Sequence, residues 1–371
     1  MDFSLGDGQL EVRDLARRIL TDLATQERLR QVEADDEGFD RALWGELAKA
    51  DLLGVGLPER VGGGDLGFTT TCLVLQEVGR AVAPIPALPC LILGAFPLAA
   101  FGSDAQQQRW LPGVAGGDFL LTGGFTESGG DGLDRPGTTA LPDGGGFVLD
   151  GVKECVPYAH VAERILIPAA ISVAETGAFL VDPKQGGVAI ERQHTTDHQP
   201  NFRVTLDGVR VTAEDRIGTG EDAARVVRSA VLHAEAAYCM LQLGVSERAL
   251  EMTAEYAATR QQFGRPIGSF QAVHTRAADA YIDIEAMRLT AWQAMWALES
   301  GAPSEEAVAV AKYWAAEAGQ TAGYAAQHLH GGIGLDVEYP LHRHYLWSKQ
   351  IELTLGSAPV QLERIGAALA R

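Results

Sequence analysis

The segment TRQQFGRPIGSFQ, residues 259–271, sets an arginine, an aromatic ring and the start of a helix within one tight turn. Arg260 can present a two-pronged donor to a phosphate, and the backbone amides that open the next helix add to an anion site. Taken alone, the motif reads as a helix hairpin with a salt-bridged arginine. HLHGGIGLD, residues 328–336, places paired glycines after a long helical stretch. Glycines there let another backbone or a ligand come close, although an ordinary C-terminal cap uses glycine too. No strand precedes them, so the segment is not a dinucleotide-binding fingerprint. A third stretch, IELTLGS at 351–357, runs from a helix into Gly356 and Ser357. Its only carboxylate is Glu352, and Leu355 stands directly before the glycine. It reads as a catalytic loop, as a catalytic loop without its base, or as the end of a helix.

Other chemistries find less support. A di-iron centre in a helix bundle needs Glu-x-x-His on two helices and two further glutamates. The single Glu-x-x-His, Glu191 to His194, falls in a β-rich region. His342 and His344, two apart on a helix, point away from each other. The four cysteines, Cys72, Cys90, Cys155 and Cys239, are scattered without a CxxC pair, so no metal site or disulfide framework is expected. A net charge of −19 disfavours nucleic acid, whose affinity comes mostly from a basic footprint. No run of about 18 apolar residues is present, so no membrane span is expected. The nearest approach, ALPCLILGAFPLAAFG at 87–102, is short and broken by Pro89 and Pro97. The opening MDFSLGDGQLEVRDL lacks a basic segment followed by an apolar core, and a cytoplasmic protein is expected.

The elements that must position these residues fall into three regions. The chain has 371 residues, 46% of them hydrophobic, enough for a large core and two or three sub-domains. Residues 1–115 read as helices, with LEVRDLARRILTDLA and FDRALWGELAKADLLG showing helical spacing. Residues 116–217 hold short β-forming runs such as GFVLDGVKECV and FRVTLDGVRVT. Asp150-Gly151 and Asp207-Gly208 within them are hairpin signals. Closely spaced strands without helices between them mean an antiparallel barrel or sandwich. Residues 218–371 are helical again. One long helix reaches FGRPIG, Ser269 is placed to cap the next, and a stripe of Phe270, Val273, Ala277, Tyr281, Ile284 and Met287 follows. Two more helices end before Leu355, so an antiparallel four-helix bundle is expected.

These segments together resemble the acyl-CoA dehydrogenase family. The likeness is carried by LWGELAKADLLGVGLPERVGGGDLGF, LQEVGRAVAPIP, FGSDAQQQRWLPGVAGGD, LDGVKECV, EYAATRQQFGRPIGSFQAV and HLHGGIGLDVEYPLHRHY, in the family's order over nearly the whole chain. The resemblance implies an α+β fold: an N-terminal helical domain at 1–115, an antiparallel β-barrel at 116–217 and a C-terminal four-helix bundle at 218–371. It implies FAD, held between two subunits. One subunit's β-domain and final loop hold the flavin ring. The neighbour's bundle holds the ADP half through an Arg-x-x-Phe-Gly turn, a glutamine eight residues past the Phe, and the Gly-Gly loop. Those positions are Arg260, Phe263, Gln271, Gly331 and Gly332, with Gln262 in the same turn. His328 replaces the family's glutamine three before the first loop glycine, and imidazole can still donate one hydrogen bond.

The family's chemistry removes an α-proton with a glutamate while a hydride passes from the β-carbon to flavin. Its base stands directly before the glycine of the final loop, where this chain has Leu355, or on the first bundle helix, where it has Ala234. Neither can accept a proton. The neighbouring Glu235 and Glu352 are the displaced alternatives, although one residue on a helix turns a side chain by about 100°. Two ring-side motifs also depart: FTESGGDGLDRP stands for Thr-Glu-Pro-Gly-x-Gly-Ser-Asp, and Glu154-Cys155-Val156 for Trp-Ile-Thr. ADP-side residues kept and ring-side residues lost resemble the non-catalytic subunit of the actinobacterial heterotetrameric (α2β2) enzymes acting on steroid side-chain CoA thioesters. The expected partner is a homologous catalytic subunit that binds most of the acyl-CoA. The rivals are a homotetrameric flavoprotein with altered chemistry and a flavin-free structural paralogue.

Overall fold

Helices open the chain: α1 (Asp7–Leu23), α2 (Gln26–Glu33), α3 (Arg41–Lys49), α4 (Gly67–Ala81), α5 (Phe96–Phe101) and α6 (Asp104–Ala115). Their starts are written locally. The Asp40 carboxylate accepts the Leu43 N–H at the head of α3, and Ser103 and Gln106 form a reciprocal box at the head of α6. The apolar run noted in the sequence is a buried π-helical turn, Pro89–Ala95, continued by α5. The computed structural model describes residues 3–129, 135–173, 175–218 and 222–370. Among them no helix is long and apolar enough to cross a membrane.

Eight strands follow: β1 (Leu121–Gly123), β2 (Thr139–Asp143), β3 (Gly146–Pro157), β4 (Arg164–Ala170), β5 (Thr176–Val181), β6 (Val188–Gln193), β7 (Asn201–Thr212) and β8 (Arg216–Ile217). They form one sheet in the order β6-β7-β3-β2-β4-β5-β8, with β1 beside β4. Pairing is antiparallel except that β4 runs parallel to both β1 and β2. The core of β4, ILIPA, is buried throughout, as expected of a strand covered on both faces, whereas β7 alternates.

The two Asp-Gly pairs are not turns. Asp150-Gly151 lies inside β3 and Asp207-Gly208 inside β7, facing each other across a register shift, and the Gly208 N–H donates to the Asp150 carboxylate at 2.8 Å. Positive φ is used at Gly208 to bend the paired strands, as a bulge does. The hairpin turn is Gly144-Gly145, joining β2 to β3 with φ of 57° and 99°.

Five helices complete the chain: α7 (Asp222–Thr259), α8 (Gln271–Ser300), α9 (Glu305–His330), α10 (Leu341–Leu353) and α11 (Ala358–Leu369). Two compact units result, one of Met1–Arg30, Cys72–Ala83 and Glu235–Arg371, the other of Gln31–Thr71 and Pro84–Ala234. In the first, glycines let α4 and α7 touch by their backbones. A Cβ on Gly79 would stand 2.2 Å from the Leu241 carbonyl, and one on Gly244 1.9 Å from that of Gln76.

The buried stripe of α8 is Ala280, Ile284, Met287, Ala291 and Ala294, and Tyr281 of the anticipated stripe is exposed. On another line of the helix Ile282, Leu289 and Trp296 follow at intervals of seven, with 63%, 56% and 40% of their surface in water. Ser269 does not cap α8. Its hydroxyl donates to the Pro266 carbonyl at 2.7 Å, and Phe270 is the capping residue.

Candidate functional site

The end of α7 and the start of α8 are joined by a hairpin of two-residue arms, Gln261-Gln262 against Arg265-Pro266. Its turn residues, Phe263 and Gly264, both have positive φ, 53° and 77°, so the turn is of type I′. Phenylalanine adopts this backbone at a cost of about 1–2 kcal/mol, and here it holds Phe263 outward with 94% of its surface exposed. The Arg260 N–H is fixed to the Tyr256 carbonyl at 2.8 Å, and the Arg260 carbonyl accepts from the Ile267 N–H at 2.8 Å. The Arg265 guanidinium lies 4.3 Å over the Phe270 ring. Arg260, Gln262 and Gln271 are exposed. The hairpin therefore presents a cation, two amides, a ring and the head of a 30-residue helix to whatever lies outside the chain.

The Gly-Gly turn belongs to the same compact unit. Gly331 adopts φ 65°, ψ −141°, close to a region reserved for glycine. Gly332 has no such need, and a Cβ there would meet nothing within 4 Å. Among the described residues nothing crowds position 332, so the turn is open on that side to an outside group. His328 is exposed beside the turn. Gln327, one position earlier, turns inward: its amide donates to the Gly334 carbonyl at 3.1 Å and accepts from the Leu335 N–H at 3.2 Å. These residues fit the diphosphate-bearing half of a dinucleotide such as FAD.

The final loop carries leucine, not a carboxylate, directly before its glycine. Leu355 is 8% exposed and has φ 56°, followed by Gly356 at φ 102°. Glu352 is paired with Lys349 at 2.8 Å. Glu235 is wholly buried, and one of its oxygens accepts from Arg364 at 2.5 Å and from the Gln361 amide at 3.4 Å. Burial pushes its carboxyl above the usual range, against the pull of Arg364. The same Gln361 amide lies 3.4 Å from the Leu355 carbonyl and 3.5 Å from that of Gly356. Lys312, also buried, donates to the Ile351 carbonyl at 2.9 Å and so caps the end of α10. Glu235 is thus tied to the loop through Gln361, and Glu352 is paired within α10. Ala234 is buried on α7. Sequence reasoning missed Arg364, Gln361 and Lys312, since no local pattern ties them to Glu235.

In the other unit, the ring-side positions are filled by an internally satisfied network. Glu154 accepts from Arg203 at 2.7 Å, from the Gln193 amide at 2.7 Å and from the Ser128 hydroxyl at 3.2 Å. The bond from Arg203 holds its carboxyl below the usual range. Cys155 takes φ 51°, with its N–H on the Gln193 amide oxygen at 2.7 Å. Glu127 pairs with Lys153, and burial lowers the lysine to about 8. A charged carboxylate cluster offers no aromatic platform for a flavin ring. Residues 130–134 of the departing FTESGGDGLDRP stretch lie outside the described residues. Among the described residues, no group of three His, Cys, Asp or Glu side chains could hold a metal.

Comparison with known proteins gives these features a context. Residues 6–118 match the acyl-CoA dehydrogenase N-terminal domain and residues 221–370 its C-terminal domain. Acyl-CoA dehydrogenase FadE27 of Mycobacterium tuberculosis is 39% identical, covering 100% of this chain and 99% of its own length. A variant of the Tcur3481-Tcur3483 steroid ACAD superposes with a TM-score of 0.93 at 44% identity, covering 99% of each chain. The ChsE4-ChsE5 complex from Mycobacterium tuberculosis does so with a TM-score of 0.94 at 38% identity, covering 100% of this chain and 99% of the other. With both terminal domains matched and a relative alike along its whole length, the chain belongs to the acyl-CoA dehydrogenase family of FAD-dependent oxidoreductases.

Proposed function

We propose that this chain is the non-catalytic subunit of a heteromeric acyl-CoA dehydrogenase, and that it contributes the ADP half of the FAD site to a homologous partner carrying the catalytic glutamate. The observation that carries the reading is Leu355. It stands at the family's base position with a left-handed backbone, while the displaced candidates Glu235 and Glu352 are each tied up in an ion pair. Arg260, Gln262, Phe263, Gln271, His328, Gly331 and Gly332 would hold the nucleotide end. Arg260 supplies charge to the diphosphate, the hairpin and the Gly-Gly turn supply backbone amides, and Phe263 excludes water from the junction. FAD, when bound, supplies the acceptor for the hydride lost in α,β-desaturation of a thioester. The proton would leave to the partner's carboxylate, because this chain offers none.

Two further points support the assembly. The seven-residue line Ile282, Leu289 and Trp296 is apolar surface beyond what the chain's own core uses, in the spacing of a helix–helix seam. The ChsE4-ChsE5 complex and the Tcur3481-Tcur3483 steroid ACAD are both two-component assemblies. Steroid side-chain CoA thioesters are accordingly the proposed substrate class, bound mainly by the partner.

Expression with and without the partner tests the proposal. Alone, the chain should be nearly colourless and should not reduce a dye with any acyl-CoA. Co-expressed, it should form a particle of about four subunits with two flavins by native mass measurement. A stable homotetramer carrying four flavins would replace this reading with altered chemistry. A flavin-free complex would leave only a structural paralogue.

A further inference from the structure

We infer that His330 is a positioning residue for the nucleotide end of the site, locking the Gly331-Gly332 turn to the end of α7 that carries Arg260. The inference rests on the proposed ADP-side reading of those two segments. His330 is the last residue of α9 and is buried. Its Nδ1–H donates to the Ala326 carbonyl at 2.8 Å, one turn back on the same helix. With that nitrogen as donor, the neutral ring has Nε2 free to accept, and the Tyr339 hydroxyl donates to it at 3.0 Å. Burial lowers the pKa of the imidazole and so favours the neutral ring, while the Ala326 carbonyl selects the tautomer.

The ring face is used as well. It stacks on Tyr256 with centroids 4.5 Å apart and planes 19° from parallel, and Tyr339 lies against it at 5.2 Å. Tyr256 is the residue whose carbonyl takes the Arg260 N–H. One imidazole thus touches three segments: the last turn of α7, the last turn of α9 and the 336–340 turn. The Gly-Gly turn starts at the next residue, with the Gly331 N–H on the Gln327 carbonyl. Any tilt of the His330 ring shifts Gly331 and Gly332 relative to Arg260. Both neighbours of the ring are tyrosines, which an ordinary apolar packing residue would not need.

The test uses the co-expressed complex, stripped of flavin and titrated with FAD, with the melting temperature of the flavin-free complex as a second readout. His330→Leu keeps the volume but loses two neutral hydrogen bonds, each worth about two- to twelvefold. It should lower the flavin-free melting temperature by about 1–4 °C and, in the still-folded complex, weaken FAD binding at least about fivefold. Tyr256→Phe, which keeps the stack, should bind FAD like the wild type, and Tyr256→Ala should follow His330→Leu. Arg260→Ala separates the two levels of the argument. If it leaves FAD affinity unchanged, the ADP-side reading itself fails. If it weakens FAD binding while His330→Leu and Tyr256→Ala do not, the positioning role is wrong. Should His330→Leu fail to assemble, the Tyr256 pair decides: equal FAD affinity for Phe and Ala overturns the inference. A loss of flavin-free stability with FAD affinity unchanged would also overturn it, in favour of a general packing role.

Discussion

Replacing Arg364 by leucine tests whether Glu235 is an anchor or a stranded base. In the wild type the Glu235 carboxylate has no exposed surface, and among the described residues Arg364 is its cationic hydrogen-bond partner. The variant would leave it with the Gln361 amide at 3.4 Å. Breaking a buried pair costs about 3–5 kcal/mol. The lower part of that range applies, because Arg364 keeps 36% of its side chain in water, where its charge is screened. For a 371-residue chain unfolding cooperatively, about 3 kcal/mol corresponds to a melting shift near 4 °C. The pH dependence has a definite sign. Burial already raises the folded-state pKa of Glu235, and removing Arg364 raises it further. A raised carboxyl is harmless while protonated in both states, below about 4.3, and destabilises as pH climbs through its folded value. The gap between variant and wild type should therefore widen from pH 5 to pH 8 in scanning calorimetry. Glu235→Gln combined with Arg364→Leu should recover most of the loss. A gap that ignores pH would refute the buried-charge argument. If Glu235→Gln alone abolished turnover of the assembled complex with its melting temperature intact, Glu235 would be a base after all.

Three other outcomes follow from the same coordinates. Leu355→Glu should not make the isolated chain a dehydrogenase, because Glu154, Arg203 and Gln193 still occupy the ring-side positions; dye reduction by that variant alone would contradict this. Glu127→Gln should destabilise the β-sheet unit by about 2–4 kcal/mol at pH 7 by stranding the buried Lys153 ammonium. Lys153 discharges in the folded wild type at about 8, so the loss should shrink as pH rises through that value, and a constant loss from pH 6 to 10 would count against it. Ile282→Lys with Leu289→Lys should leave the melting of the isolated chain within about 0.5 kcal/mol, since both side chains are exposed. The double variant should fail to assemble with the partner, and normal assembly by analytical centrifugation would remove α8 from the interface.

The long helices were legible because their period repeats over many turns: α7 runs up to FGRPIG as read from the sequence, and two more helices end before Leu355. α8 was located correctly but with a shifted buried face, because its first turns expose both apolar and polar residues and burial begins at Ala280. The Asp-Gly pairs misled for a physical reason. A turn and a bulge ask the same local favour of the backbone, a positive φ, and only the partner strand tells them apart. Of the candidate site, the hairpin and the Gly-Gly turn could be read because each is contiguous. The anchoring of Glu235 could not, since Arg364 is 129 residues further on. The role of Glu352 was within reach: Lys349 stands three residues earlier, a spacing at which helix side chains meet.

The outward-held Phe263 also bears on how quickly the chain would engage the proposed partner. Its ring is set by a two-residue turn and by the backbone bond from Ile267 to Arg260, not by any contact that forms later. The conformational entropy of this loop is therefore lost on folding, before encounter, and docking need not wait for a segment to order. Association of such preformed surfaces runs on the order of 10⁵–10⁷ M⁻¹s⁻¹. Loosening the turn, as Gly264→Val would do at φ 77°, should slow capture of the partner. Trimming the ring alone, as in Phe263→Ala, should leave the capture rate nearly unchanged and shorten the lifetime of the complex instead.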